Sequence, residues 1–357
     1  MAKIDFSQLT PDNGAIRDLS HILLTDIVSP ERLGSLFNIF TGVFNGDKLG
    51  VIGEFGLVGK AEEGCSPTYE DSTLATAEKT WDIAGVQVAE KICYADLLNT
   101  FVKYDLIGKE GDELRNAYLE EVILPRLRTA ISKAFFRIAF FGDKQADTVA
   151  NGGVLKNTVN PAYFTLTDGF WKQLVAITTG DPSKHVAISA NSQATYAAQK
   201  AAIRTSGAAV GAIDDVITSA TPALRQAADQ VIYVTNAFKD ALDADLKANY
   251  PGSDLHWEEI FAGIRETTYN GITLRAVPML DEIVQGYEIN SAETGWNNPY
   301  RIIYTTKANL ALGINGKEGL MEDVDIIFDR KDRQNYYYAK DRIGALVVDD
   351  NLVVVAY

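Results

Sequence analysis

Residues 50–88 read GVIGEFGLVGKAEEGCSPTYEDSTLATAEKTWDIAGVQV, and the rest of the chain is read outward from them. Glycine recurs at every third position, at Gly50, Gly53, Gly56 and Gly59. The run is too short and too poor in proline for a collagen triple helix. Glycine at this density also disfavours a packed helix, because each one loses much backbone freedom on folding. Val51, Ile52, Phe55, Leu57 and Val58, set between the glycines, favour extended backbone. The centre, from Lys60 to Glu78, is polar and turn-forming. Trp81 and Ile83 then alternate on one parity and Val86 and Val88 on the other, which places a β-bulge at Gly85. Two extended arms around a polar tip predict a long hairpin projecting from the body. A two-stranded ribbon alone in water is marginally stable. Phe55, Leu57, Trp81 and Ile83 therefore need a covering surface, and the expected one belongs to a neighbouring subunit.

Downstream lies the strongest helical signal. Leu124, Leu127, Ile131, Ala134, Phe135, Ile138 and Phe141 form one apolar stripe at three- and four-residue spacing. Asp112, Glu113, Glu120 and Glu121 precede Arg126, Arg128, Lys133 and Arg137, the order that the helix dipole favours. Pro125 kinks or restarts this helix, and Gly142 ends it. Arg126, Lys133, Arg137 and Lys144 follow one another at spacings of seven, four and seven and are expected on one face. Such a line is either a solvated face or a contact for acidic neighbours in an assembly.

From about residue 151 the texture is α/β. Asp168 is expected to cap a helix carrying Phe170, Leu174 and Ile177. HVAIS at 185–189 reads as a strand, 191–206 as an alanine-rich helix, and VIYVT at 231–235 as a buried strand. Asn236 is expected to cap the next helix, and strands follow in GITLRAVPML, YRIIYTT and NLALGI. The last forty residues are almost wholly β, with VDIIFD and then two apolar runs joined by Asp349, Asp350 and Asn351, a hairpin turn signal. Near the other end, Ser29 and Pro30 suit a helix start, either in an arm of short helical pieces or in a helical subdomain.

With 357 residues the chain has room for about two domains, and 46% hydrophobic content excludes disorder as the default. A net charge of −15 disfavours sequence-independent nucleic-acid binding. Cys65 and Cys93 are expected as free thiols. Neither a secretory leader nor a membrane-length apolar run is seen, which points to a soluble cytoplasmic product. GEFGLVGKA is not a phosphate loop: five residues separate Gly53 from Gly59, and Ala61 after Lys60 offers magnesium no hydroxyl. His21, His185 and His256 are scattered, and no nucleophile elbow is present. Acidic pairs such as Glu62–Glu63 and Asp214–Asp215 point apart on any regular backbone. No catalytic, cofactor or metal site is expected.

The order of projecting hairpin, long helix, α/β body and β-rich return resembles the major capsid proteins of tailed bacteriophages, the Hong Kong-type capsid fold. That resemblance implies an α+β fold divided as an N-terminal arm (1–45), an extended loop (46–90), a peripheral domain (91–150) with a spine helix from Glu113 to Phe141, an α/β axial domain (151–317) and returning peripheral strands (318–357). It implies a structural subunit, not an enzyme, that self-assembles into hexamers and pentamers of an icosahedral shell around double-stranded DNA. Expected partners are a portal and a separate scaffolding protein, since only about forty residues precede the loop. The expected location is the virion capsid, assembled in the host cytoplasm. Some members cross-link a loop lysine, and Lys60 stands near that place; an ordinary exposed lysine is the other reading. Alternatives are an encapsulin-like nanocompartment shell and a phage tail or binding component.

Overall fold

A computed structural model describes residues 36–55, 74–93, 124–146, 161–203, 207–250, 252, 255–261, 263–287, 298–314, 323–329 and 334–357. In chain order the strands are β1 (Asn38–Thr41), β2 (Lys48–Phe55), β3 (Leu74–Thr80), β4 (Ala84–Cys93), β5 (His185–Val186), β6 (Gln230–Thr235), β7 (Glu258–Phe261), β8 (Ile264–Tyr269), β9 (Ile272–Val277), β10 (Ile302–Thr306), β11 (Leu310–Ile314), β12 (Asp323–Asp329), β13 (Gln334–Val347) and β14 (Val353–Ala356). The helices are α1 (Leu124–Phe141), α2 (Phe170–Gly180), α3 (Tyr196–Ala202), α4 (Ala208–Thr218), α5 (Pro222–Gln226), α6 (Asn236–Asn249) and α7 (Pro278–Tyr287).

A mixed seven-stranded sheet runs β5-β14-β10-β6-β9-β8-β7. Its central strands are buried on both faces, which explains their unbroken apolar runs. Side chains alternate between two cores. Val231, Tyr233, Ile303, Val353 and Val355 face α1 and α2, whereas Ile232, Val234, Ile302, Tyr304 and Val354 face α4 and α6. A five-stranded sheet runs β1-β11-β13-β12, with β4 also paired to β13. Leu310, Leu312, Ile314, Ile343, Ala345 and Val347 join the first core, packed under Ile131, Phe135 and Ile138 of α1. The periodic stripe of α1 thus fastens one sheet to the other. Pro125 lies in the first turn of this segment, and the acidic residues before Leu124 lie outside the described ones.

The two sheets exchange strands at one place. β10 leaves the seven-stranded sheet and continues as β11 in the other, while β13 leaves the five-stranded sheet and continues as β14 in the first. Asn309, at one crossing, stitches it to the other. Its amide donates to the carbonyls of Asp349 (2.9 Å) and Leu352 (3.2 Å), and its Oδ1 accepts from the Asp349 N–H (2.6 Å). This corrects the expected terminal hairpin. Residues 349–351 do turn, with Asp349 accepting from the Asn351 N–H, but they carry the chain between sheets.

Other local expectations are corrected as well. β4 pairs with β13 without a register shift from Ala84↔Ile343 to Cys93↔Gln334, so Gly85 is no bulge. The change of parity arises because residues 81–83 precede the strand. Asp168 does not cap α2: its carboxylate accepts from the Lys144 N–H, and Gly169 holds the cap position without a side-chain bond. Thr235, not Asn236, caps α6, accepting from Phe238. The alanine-rich stretch is helical only over Tyr196–Ala202 among the described residues, preceded by a 3-10 turn at Ser189–Ser192. The arm before residue 36, Ser29 and Pro30 included, and Cys65 lie outside the described residues, as does the Cys93 side chain.

Candidate assembly site

Lys48–Phe55 and Leu74–Thr80 pair with each other as an antiparallel ribbon, from Lys48↔Thr80 to Ile52↔Thr76, with the register shifting before Phe55↔Leu74. The irregularity therefore falls at Gly53–Glu54 and not at Gly85. The second arm is also not the one expected: Leu74–Thr80 is strand, and β4 belongs to the body. Among the described residues β2 and β3 form a sheet of their own, without a third strand. A Lys48–Glu78 pair spans them at 2.5 Å, but both side chains are mostly exposed, so it stabilises the ribbon little.

The base of the ribbon is fastened differently. Residues 81–83 cross the outer face of the five-stranded sheet, where Gly313 and Gly344 stand directly opposite each other on β11 and β13. A Cβ on Gly313 would lie 2.8 Å from the Trp81 ring, and one on Gly344 2.5 Å from the Asp82 carbonyl oxygen. The glycine pair is a slot that lets the crossing segment lie against the sheet backbone. Trp81 is 3% and Ile83 7% exposed, packed with Ala311, Leu346, Phe40, Val43 and Leu49. Backbone bonds close the seat, with Trp81 N–H donating to Asp47 (2.8 Å) and Gly46 N–H to Trp81 (2.9 Å). The Thr167 hydroxyl donates to the Asp82 carbonyl (2.8 Å), Lys144 meets the Asp82 carboxylate at 2.6 Å, and Lys79 meets Asp350 beside the strand crossing at 2.8 Å.

This geometry corrects the expectation that Trp81 and Ile83 lack a surface in their own subunit: they are core residues of a small outer cluster. The slot glycines and Asp82 escape a reading by pattern, although a glycine inside each of the apolar strands LALGI and RIGALV was the available signal. Phe55 is placed by its backbone, near the far end of β2; Leu57 and Lys60 lie outside the described residues.

The described members of the basic line are held in different ways. Lys133 pairs with Glu282 of α7 at 2.9 Å. Lys144 lies beyond the end of α1, in the turn after it, and holds Asp82. Arg137 is half-buried, donates from Nε to the Tyr163 carbonyl (3.4 Å) and stacks near the Tyr163 and Phe164 rings at 5.4 and 5.7 Å. Burial pushes its pKa down. The Arg126 side chain lies outside the described ones. Among the described residues no group of three or more His, Cys, Asp or Glu could hold a metal ion, and no helix is long and apolar enough to cross a membrane.

No protein-family model matches the chain, and no curated protein matches it by sequence. By structure it is similar to chains solved from phages and related particles. A structure from Mycobacterium phage Ogopogo aligns with a TM-score of 0.50 at 14% identity, covering 91% of this chain and 90% of that one. A chain of the satellite phage P4 procapsid, which includes the size determination protein, aligns at 0.49 and 14%, covering 96% and 98%. A capsid chain of a native GTA particle aligns at 0.45 and 12%, covering 92% and 90%. The Ogopogo match shows a shared fold over most of both chains, and the α+β class expected from the sequence is the one observed.

Proposed function

We propose that the chain is a shell subunit of a tailed phage, a structural protein without catalytic activity. It builds hexamers and pentamers of an icosahedral shell around double-stranded DNA, with a portal and a separate scaffolding protein as partners. Its place is the virion capsid, after assembly in the host cytoplasm. The observation that carries this reading is the ribbon: two strands with no third among the described residues, held at the base by a buried tryptophan and two slot glycines. A ribbon of this kind gains stability by lying on another surface. A rigid seat fixes its direction, so each subunit presents it to a neighbour at the same angle, which a closed symmetric assembly requires. Phe55, Leu57 and Lys60 are the proposed contacts toward its far end, whereas Trp81 and Ile83 position it. A net charge of −15 suits a container whose wall does not grip phosphate.

The test is co-expression with the cognate scaffolding protein, followed by electron microscopy of the product. Closed shells are expected. Rings or tubes would assign the chain to a tail, and a monomer at high concentration with scaffold present would reject the proposal.

A further inference from the structure

We infer that Arg137, with Tyr163 beside it, is a docking point for a carboxylate carried by a second copy of this chain. The inference rests on the shell reading above and names one contact within it. Lys133 and Lys144 end on acids of their own subunit, Glu282 and Asp82. Arg137 does not. Among the described residues its guanidinium donates one long hydrogen bond, from Nε to a carbonyl, and meets no carboxylate. It is nevertheless half-buried between two rings, and desolvation opposes its charge. A cation kept in such a place gains most from an acid that arrives with its own desolvating surface.

The surroundings suit a protein partner. Phe164 is fully buried and Tyr163 is 59% exposed, so one ring is fixed and the other is open beside the guanidinium. Arginine and tyrosine are the residue types that concentrate binding energy in interfaces. On the same face of α1, Ala130 is exposed and Ala134 half-buried, small enough for another backbone to approach. Charge selects the partner. With 48 acidic against 33 basic residues, every other copy offers carboxylates in excess. Nucleic acid would meet one arginine whose basic neighbours Lys133 and Lys144 are already paired, on a chain of net charge −15.

The experiment compares wild type, Arg137→Gln, Arg137→Lys and Lys133→Gln. It measures the assembled fraction at fixed subunit concentration by sedimentation, with the melting temperature of the unassembled subunit alongside. A photo-crosslinking phenylalanine at position 163 reports what lies against it. Arg137→Gln is expected to raise the concentration needed for assembly about tenfold or more. It should move the subunit's melting temperature by less than about 2 °C. Lysine should rescue in part, Lys133→Gln should assemble normally, and the crosslink should join position 163 to an acidic peptide of another copy. Assembly of Arg137→Gln at the wild-type concentration would overturn the inference while leaving the shell reading intact. So would a crosslink to DNA, or a large fall in subunit stability with assembly unchanged, which would place the acid in the same chain. Wild-type subunits that never assemble would sink both.

Discussion

β4 and the β2–β3 ribbon are neighbours in sequence and similar in texture, yet they have opposite fates. β4 lies along β13 over ten residues, and its Val86 enters the main core. The ribbon pairs only with itself among the described residues, and of its described side chains Leu49 alone joins a core cluster, beside Trp81. The difference is made in residues 81–83, where the chain crosses the glycine slot. Alternation tells which residues of a strand share a face. It does not tell which surface that face meets, and here the answer depends on two glycines far along the chain.

That contrast breaks first at Trp81. If the crossing is a core element, Trp81→Ala should cost the isolated subunit about 3–5 kcal/mol in denaturant unfolding. A loss below about 1 kcal/mol would mean that Trp81 serves a neighbour instead. Gly344→Ala, which brings a Cβ against the Asp82 carbonyl, should cost about 1–3 kcal/mol and alter the ribbon's direction, seen as malformed or missing shells. The same substitution at Gly50, where a Cβ meets nothing within 4 Å, should leave the unfolding midpoint nearly unchanged. Asp350→Asn removes the Lys79 pair at the ribbon base, and since both side chains are partly exposed it should cost less than about 1 kcal/mol.

One further effect belongs to the body alone. Asp281 on α7 accepts from the Asn236 and Ala237 N–H groups at the start of α6, and burial pushes its pKa up to about 6. Its folded value exceeds the ordinary 3.8, so its contribution to stability is fully present below 3.8 and is lost as pH rises through about 6. Acidifying from about pH 7 to about pH 5 should therefore favour the native state through this group. Asp281→Asn should flatten that part of the pH–stability curve, and amide exchange at α6 should report the change while β2 and β3 do not.

Much of the body was legible in sequence. VIYVT and YRIIYTT, apolar without a break, announce strands buried on both faces, and the α1 stripe announces the helix that joins the sheets. The candidate site was legible in outline only. LATAEKT reads as a polar tip because it carries no apolar alternation to detect. Trp81 and Ile83 read as a continuation of β4 because a crossing segment can keep a two-residue rhythm without being strand. Asp349–Asn351 suits a hairpin and a crossover equally. What decides is Asn309, forty residues away in sequence. Spacing along a helix says nothing about the acids that the fold brings to Lys133 and Lys144, which is why the line does not tell which cation is left for a partner.

In the proposed shell the ribbon is anchored in its own subunit at the base and stabilised elsewhere by another. Hydrogen exchange of the backbone amides, compared between unassembled subunit and finished shell, tests it most directly. Trp81 and the β4 amides bonded to β13 should exchange slowly in both states. Amides of Leu49–Phe55 and Leu74–Lys79 should exchange quickly in the subunit and at least about tenfold more slowly in the shell. Equal protection of the ribbon in both states would contradict that arrangement.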